Sequence, residues 1–280
     1  MIDSHHHFWN FGEDEQTWRS AAHEAIARDF GPDDLEPELR AAGVDATVLV
    51  QSVDTAAENE RLLRYAADIP FVAGVVAWLP LRSARAARPS IPALKEHETV
   101  RGVRCLIGRD HTDWLTAAET LGTFRDLAAA QLSWDVVPVT ADQVSDVVAV
   151  ARAVPGLRIV VDHLARPPIE AGGWQPWADQ VRALAESPNI AVKVSVGIDV
   201  LTGWSQWNAD RLTRYVDRVA RQFGPERMML ASNWPVVLLR RSYRQAWSDL
   251  AGAVAASGIS SPDLAAVTGG TAARWYSLTV

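Results

Sequence analysis

Eight short apolar runs, rich in β-branched residues, recur along this chain of 280 residues, and stretches with helical spacing separate them. The runs lie at residues 1–9, 46–51, 71–79, 103–107, 134–139, 157–162, 190–195 and 228–232. Most are apolar at successive positions, as in strands whose two faces are both covered by helices. Strands that alternate with helices indicate a parallel sheet, and eight such units favour a closed (β/α)8 barrel over an open sheet.

Seven segments with helical spacing lie between these runs, at residues 35–42, 57–67, 117–130, 142–153, 175–186, 209–223 and 242–257. Segment 83–92 is predicted to be a short helix or a loop, because Pro89 and Pro92 would break a longer helix. No internal repeat, low-complexity tract or linker divides the chain. We therefore expect one α/β domain over residues 1–280, a distorted (β/α)8 or TIM barrel.

The composition limits the classes of protein to which the chain can belong. Hydrophobic residues make up 48% and charged residues 22%, as in globular proteins with a sizeable core. The formal net charge of -7, without a basic stripe, argues against nucleic acid as a partner. No membrane-length apolar segment or signal-peptide pattern is present, and Cys105 is the only cysteine. We expect a cytoplasmic protein that acts on a small molecule. The composition does not decide whether it is a monomer or an oligomer.

In a barrel of parallel strands, active sites lie at the mouth formed by the C-terminal ends of the strands. Residues at or just beyond the predicted strand ends, most of them polar or aromatic, are therefore the candidates for a functional site. They are His5, His7, Gln51, Trp78, Arg104, Val139 or Thr140, His163, Lys193 or Ser195, and Asn233.

The first strand carries His5 and His7, which lie two residues apart, so both side chains point to the same face. Neutral imidazoles so placed can bind one divalent metal ion, zinc above all, with His163 as a further ligand. A solvated histidine-rich arm is the alternative. The preceding Asp3 and the aromatic residues that follow are typical of a buried strand end and favour the functional interpretation.

Three other candidates carry charge or a titratable ring. His163 follows an apolar strand and could bind metal, polarise a carbonyl or transfer a proton; a packed structural histidine is the alternative. Arg104 inside a barrel mouth requires an anion, which is either a substrate carboxylate or an internal acidic side chain. The same reasoning applies to Lys193, which is flanked by apolar residues.

The remaining histidines are predicted to be outside the site. His6 points to the opposite face of the first strand from its neighbours and is expected to be structural. His23, His97 and His111 lie in polar surroundings and are expected on the surface.

Tryptophan is unusually frequent, with 12 residues in the chain. Seven lie at or after predicted strand ends, where their rings could stack on a sugar or an aromatic substrate. These are Trp9, Trp78, Trp114, Trp174, Trp177, Trp204 and Trp207. For each taken singly, packing within a loop is the favoured interpretation.

Six segments are similar to segments that occur together in one known family. They are DSHHHFW (3–9), VLVQ (48–51), GVR (102–104), DHLARPP (162–168), VKVS (192–195) and SNWPV (232–236). With these segments in order over nearly its whole length, the chain resembles the amidohydrolase superfamily. The similarity is to its branch of lactone hydrolases, which includes L-fuconolactonase, L-rhamnonolactonase and 2-pyrone-4,6-dicarboxylate lactonase. The resemblance implies a distorted TIM barrel that opens a lactone by attack of water, with or without a divalent metal.

The resemblance also implies roles for individual residues. His5, His7 and His163 would surround the reacting carbonyl, with Asn233 at the position of the family's catalytic base. Arg104 would hold the substrate. Further candidates for substrate binding are Gln51, Trp78, Lys193 and Arg166, the last within the matched segment 162–168.

Two positions depart from the family pattern. The family's Ser-Asp-Trp-Pro is Ser-Asn-Trp-Pro here, and its Lys-Leu-Ser-Gly is Lys-Val-Ser-Val, with Gly197 displaced. An amide can orient a water molecule but cannot accept its proton. Three interpretations of Asn233 follow. It positions substrate while a histidine is the base, it is an engineered substitution for the family's aspartate, or the barrel binds a ligand without hydrolysing it. A metal-dependent decarboxylase of the same superfamily is the other enzymatic hypothesis, although those enzymes usually keep the aspartate.

Overall fold

The central element of the computed structural model, which describes residues 1–13 and 16–279, is one sheet of eight parallel strands in sequence order. The strands are β1 (Ile2–His6), β2 (Ala46–Val50), β3 (Val72–Trp78), β4 (Val100–Arg104), β5 (Ser133–Val136), β6 (Ile159–Val161), β7 (Ile190–Val194) and β8 (Met228–Leu230). All eight predicted strands are present, and their side chains are almost entirely buried.

The sheet closes on itself through residues just beyond β8. His6 and Trp234 form a parallel bridge. The backbone amide of Asn233 donates to the carbonyl of His5 at 2.9 Å, and the amide of His7 donates to the carbonyl of Trp234 at 2.7 Å. The predicted TIM barrel is therefore confirmed, and the segments that close it carry three of the candidate site residues.

Helices surround the barrel. They are α1 (Pro32–Ala42), α2 (Ala56–Asp68), α3 (Ala84–Lys95), α4 (Ala118–Ala129), α5 (Ala141–Ala153), α6 (Trp177–Ala185), α7 (Ile198–Gly203), α8 (Ala209–Phe223), α9 (Tyr243–Ala256), α10 (Ser261–Ala265) and α11 (Thr271–Trp275). The seven predicted helices are confirmed within three residues at each end, whereas α7, α10 and α11 were not predicted. Among the described residues, no helix combines the length and apolar character needed to cross a bilayer.

The segment with two prolines differs from the prediction, because it forms a continuous helix of 12 residues, Ala84–Lys95. The Ser83 side chain caps its first turn by accepting a hydrogen bond from the amide of Ala86 at 3.4 Å. Ile91 and Leu94 lie on its buried face in the hydrophobic core. Burial of this face stabilises the helix by more than is lost through the backbone hydrogen bonds that the two prolines cannot donate.

Strand bounds differ most at β4, which spans Val100–Arg104 rather than residues 103–107. The apolar residues Cys105 and Ile107 lie in the loop that follows. Similarly, β5 ends at Val136, so the apolar Val137 and Val139 also lie in a loop. An apolar run does not distinguish a strand from an apolar loop that is covered by its neighbours.

One close contact between strands yields a stability prediction. A Cβ added at Gly102 in β4 would lie 2.1 Å from Ser133 Oγ in β5. We expect Gly102→Ala to lower the free energy of unfolding by about 1–3 kcal/mol through overpacking, measured by urea denaturation. In the Ser133→Ala background, which lacks Oγ, Gly102→Ala should lower the free energy of unfolding by less than it does in the parent protein. An unchanged denaturation midpoint for Gly102→Ala would contradict this packing.

Candidate active site

The ends of β1 and β2 position a pair of buried histidines. His5 Nε2 and His7 Nε2 lie 3.2 Å apart. His7 Nδ1 lies 2.7 Å from the backbone carbonyl of Val50, which can only accept, so we assign the His7 proton to Nδ1. His7 Nε2 is then an acceptor directed at His5. His6 lies on the other face, as expected, where its Nε2 is 2.8 Å from Thr47 Oγ1.

A buried charge cluster lies next to the His5 ring. Lys193 Nζ is 2.6 Å from Asp135 Oδ2, 3.0 Å from Asp162 Oδ1 and 3.1 Å from His5 Nδ1. Tyr276, which follows α11, donates its hydroxyl hydrogen to Asp135 Oδ2 at 2.5 Å. Lys193 is therefore paired with acidic side chains of the protein. Of the two anion partners considered in the sequence, a substrate carboxylate or an internal acidic side chain, it has the second.

Arg104, at the end of β4, is also anchored by groups of the protein. Its Nη1 donates to Asp162 Oδ2 at 3.1 Å, and its Nη2 donates to the backbone carbonyl of Gln51. Its Nε is buried without a hydrogen-bond partner among residues 1–13 and 16–279. One guanidinium donor is therefore available for a further acceptor.

Burial and charge act in opposite directions on the two carboxylates of the cluster. Burial alone would raise the pKa of Asp162, but Lys193, His5 and Arg104 together hold this pKa well below its ordinary value. Burial raises the pKa of Asp135 despite the adjacent Lys193 ammonium. The same cluster thus shifts the pKa values of its two carboxylates in opposite directions.

Both histidines at the end of β1 are held neutral. Burial lowers the pKa of His5 well below its ordinary value, and the charge of Lys193 lowers it further. Burial likewise lowers the pKa of His7, with Arg104 as the next cause. Neutral imidazole is the form that binds metal ions or accepts a proton.

His163 follows β6 in a segment of left-handed backbone, with a φ of 54° at His163 itself. Its Nδ1 lies 2.8 Å from Ser195 Oγ, just beyond β7. Its Nε2 has no hydrogen-bond partner in the described part of the chain. Burial lowers the pKa of His163 to about 4, so the ring is neutral at pH 7. It presents a free nitrogen at the barrel mouth.

Asn233 follows β8, also with left-handed backbone (φ 56°), a conformation that asparagine tolerates well. Its Nδ2 donates to the backbone carbonyl of Val196 at 2.8 Å. Its Oδ1 is buried without a partner among the described residues. The amide is therefore fixed by one hydrogen bond and keeps one acceptor available.

A cavity of about 280 Å3 opens over these groups at the C-terminal ends of the strands. The candidate residues that line it are His7, Arg104, Val139, His163, Arg166 and Asn233. The structure thus brings together side chains that follow β1, β4, β5, β6 and β8.

Four other candidates do not line the cavity. His5 contacts His7, Gln51 contacts Arg104, and Lys193 contacts Asp162. Trp78 is half-buried elsewhere, with its backbone amide hydrogen-bonded to Asn59. The structure therefore does not bring Trp78 to this site.

The tryptophan set also lies outside the cavity. Trp9 packs edge-on against Phe30, and Trp204 stacks on Trp207. Packing within loops accounts for these rings, which is the interpretation favoured from the sequence for each tryptophan taken singly. Among the described residues, the tryptophan that lines the cavity is Trp18, which was not predicted because it follows no strand end.

His23 differs from its expected surface position, whereas His97 and His111 are exposed as predicted. His23 is 6% exposed, and its Nε2 lies 2.9 Å from Thr202 Oγ1 in α7. The short 3-10 helix Ala21–Ile26, which contains His23, packs across the loops of the barrel mouth. Its polar neighbours in sequence gave no sign of this tertiary contact.

The donor set fits a divalent cation. One donor atom from each of His5, Asp162 and His163 lies within 4.8 Å of the others. Two imidazole nitrogens bound to one zinc ion at about 2.0–2.1 Å would lie roughly 3.3 Å apart, close to the 3.2 Å between His5 and His7. The same residues are also hydrogen-bonded without an ion, in a chain that runs from Lys193 through His5 and His7.

Two functional positions were missed in sequence. Asp162 and Asp135 were given no role, although both carry the charge that holds Lys193. The position of Asp162 just after β6 was a usable signal, whereas nothing local distinguished Asp135 within its apolar strand.

Comparisons with known proteins agree with this geometry. The family model described as Amidohydrolase matches residues 2–278. An L-fucono-1,5-lactonase of Burkholderia ambifaria is 36% identical over 84% of this chain and 80% of its own length. Another, of Burkholderia multivorans, is 31% identical over 99% of this chain and 96% of its own length.

A solved structure is similar over the full barrel. An amidohydrolase from Burkholderia multivorans, crystallised with bound zinc, superposes with a TM-score of 0.86 at 30% identity and covers 99% of both chains. The resemblance seen in the sequence segments is thereby confirmed. The chain belongs to the amidohydrolase family.

Proposed function

We propose that this protein is a hydrolase that opens a small lactone by attack of water on the ring carbonyl. The observation that carries the proposal is the free Nε2 of neutral His163 in the same cavity as Arg104 and Asn233. Both curated relatives described above are lactonases, which supports the same reaction class.

In the proposed reaction, Asn233 Oδ1 accepts a hydrogen bond from water, and His163 Nε2 removes its proton as the water oxygen bonds to the carbonyl carbon. The oxyanion that forms is stabilised by the Arg104 guanidinium, whose Nε is unpaired. The ring carbon–oxygen bond then breaks, and protonated His163 returns the proton to the leaving oxygen. The product is one hydroxy acid.

The remaining residues position these groups. Asp162 orients Arg104 through the 3.1 Å ion pair, and Lys193 neutralises the second oxygen of Asp162. The backbone carbonyl of Gln51 accepts a hydrogen bond from Nη2 of Arg104. Arg166 lines the cavity but is engaged by Asp199 and Glu170, so it would bind substrate only at the cost of these pairs.

Two overlapping donor sets could hold a divalent cation, with zinc the best match: the His5–His7 pair, and the group of His5, Asp162 and His163. When bound, it would polarise the carbonyl oxygen and acidify water. The alternative of a metal-dependent decarboxylase finds no support in the two lactonase relatives.

The proposal is tested by following acid release from a panel of γ- and δ-lactones, with the spontaneous rate subtracted, alongside elemental analysis of the purified protein. Opening of at least one lactone well above the spontaneous rate is expected. Binding of lactones by the folded protein without product would instead identify a non-catalytic barrel.

The role of Asn233 leads to a separate prediction. Aspartate at this position would lose the donor to the Val196 carbonyl and place a carboxylate oxygen against it. We therefore expect Asn233→Asp to lower kcat/KM by about tenfold, a loss of roughly 1.4 kcal/mol. Higher activity of Asn233→Asp than of the parent would show that the site is built for a carboxylate base.

A further inference from the structure

The wall of the cavity differs in character from its floor. His7, Arg104, His163 and Asn233 lie on the floor, near the strand ends. Aliphatic side chains in the segments that follow four strands form much of the wall: Leu106, Ile107, Val137, Val139, Ile198 and Val236. Leu106, Val137, Val139 and Ile198 are only half-buried, so they present apolar surface to the cavity.

The charged residues Arg109, Arg166 and Asp199 also line the cavity, where Arg166 pairs with Asp199 and Arg109 is exposed. The other polar groups on the wall are paired within the protein or uncharged. The Trp18 indole nitrogen donates to the Ser52 carbonyl at 2.8 Å, which leaves the apolar ring to line the cavity. The Ser52 hydroxyl donates to Glu58 at 2.7 Å. Burial raises the pKa of the Cys105 thiol to about 12, so this group is uncharged. Trp18, Ser52 and Cys105 therefore present no charged group to substrate hydroxyls, and the indole and hydroxyl donors already have partners.

A lactone has two polar atoms at its reacting end, the carbonyl and ring oxygens. The floor of the cavity supplies His163, Asn233 and Arg104 for them. A sugar 1,5-lactone carries three further ring hydroxyls, which would face the aliphatic wall. Burying a hydroxyl without a partner is unfavourable, whereas burying alkyl or aryl carbon there is favourable.

We propose that the substrate is a lactone with an apolar body, in which the ring carries alkyl or aryl carbon in place of hydroxyl groups. This inference rests on the proposed lactonase function. It distinguishes the chain from its two relatives, which act on L-fucono-1,5-lactone by name.

The test compares kcat/KM for two classes of six-membered lactone on the full-length protein. The apolar class is δ-octanolactone and 3,4-dihydrocoumarin, and the sugar class is L-fucono-1,5-lactone and D-glucono-1,5-lactone. With three hydroxyls left unpaired, the apolar class is expected to be favoured by about 100-fold. Equal or higher kcat/KM for the sugar class would overturn the inference while leaving the lactonase function in place.

A matched pair of variants tests whether this wall sets the preference. Ile198→Thr adds a hydroxyl to the cavity wall, whereas Ile69→Thr makes the same change at a half-buried isoleucine outside the cavity. Ile198→Thr is expected to lower the ratio of kcat/KM for the apolar class to kcat/KM for the sugar class by at least about fivefold. Ile69→Thr is expected to leave this ratio unchanged. An identical ratio in both variants would overturn the assignment of the preference to the wall.

Failure of the two proposals gives different results. If the folded protein opens neither class, the lactonase function is wrong and this inference falls with it. If it opens both without the expected preference, only the inference is wrong.

Discussion

Replacement of His163 by asparagine is expected to lower kcat for lactone opening by about 10²–10⁴-fold, the usual contribution of a positioned acid–base group. The variant removes Nε2, the nitrogen left free at the cavity. Asparagine tolerates the left-handed backbone of this position, and its amide can still reach Ser195 Oγ. Initial rates on the best lactone of the panel measure the effect, and thermal unfolding checks that the fold persists.

The matched control is His97→Asn, which changes an exposed histidine away from the cavity and should leave kcat unchanged. Metal content measured on both variants separates two roles for His163. Lost activity with unchanged metal content supports proton transfer. Parallel loss of metal and activity would instead identify His163 as a ligand and contradict its role as the base.

The second large effect concerns the buried charge cluster. Lys193→Met is expected to lower the free energy of unfolding by about 3–5 kcal/mol, because removing one partner leaves buried charge uncompensated. Lys193 is fully buried between Asp135 and Asp162, whereas methionine has a similar length without the charge. Urea denaturation followed by tryptophan fluorescence measures the loss.

The chain offers a close control, because Lys95 is its only other lysine and lies exposed at the end of α3. Lys95→Met should change stability by less than about 0.5 kcal/mol. Adding Asp135→Asn to Lys193→Met should recover part of the loss, since it removes one of the uncompensated carboxylates. A loss for Lys193→Met as small as that for Lys95→Met would show that the cluster contributes no net stability.

The barrel and its outer helices were accessible from sequence because both depend on local periodicity. Apolar runs of strand length and apolar residues at helical spacing are repeated eightfold, and few other architectures accommodate that order. Segment 83–92 was misjudged because proline acts locally, whereas the packing of Ile91 and Leu94 that stabilises α3 is a tertiary effect.

The location of the site followed from the same periodicity. Once strand ends are known, parallel topology brings His7, Arg104, His163 and Asn233 to one mouth, although they are far apart in sequence. Trp78 was selected by the same rule but lies outside the cavity. A position at a strand end does not specify the direction of a side chain.

The partners of each charge could not be inferred in the same way. Strands buried on both faces lack the alternation that would show which residues point inward, so Asp135 could not be assigned to the interior. Tyr276 joins this cluster from beyond the last helix, 141 residues along the chain from Asp135. Contacts of this range depend on how the C-terminal segment packs.

The sequence by itself determined the barrel, the mouth at which the site lies and the histidines that mark it. The tertiary structure alone decided that Lys193 and Arg104 are bound by internal carboxylates, that His163 keeps a free nitrogen, and that the cavity wall is apolar. The physical reason is that periodicity reports which face of an element is buried, whereas pairing and cavity shape depend on side chains that meet only after folding.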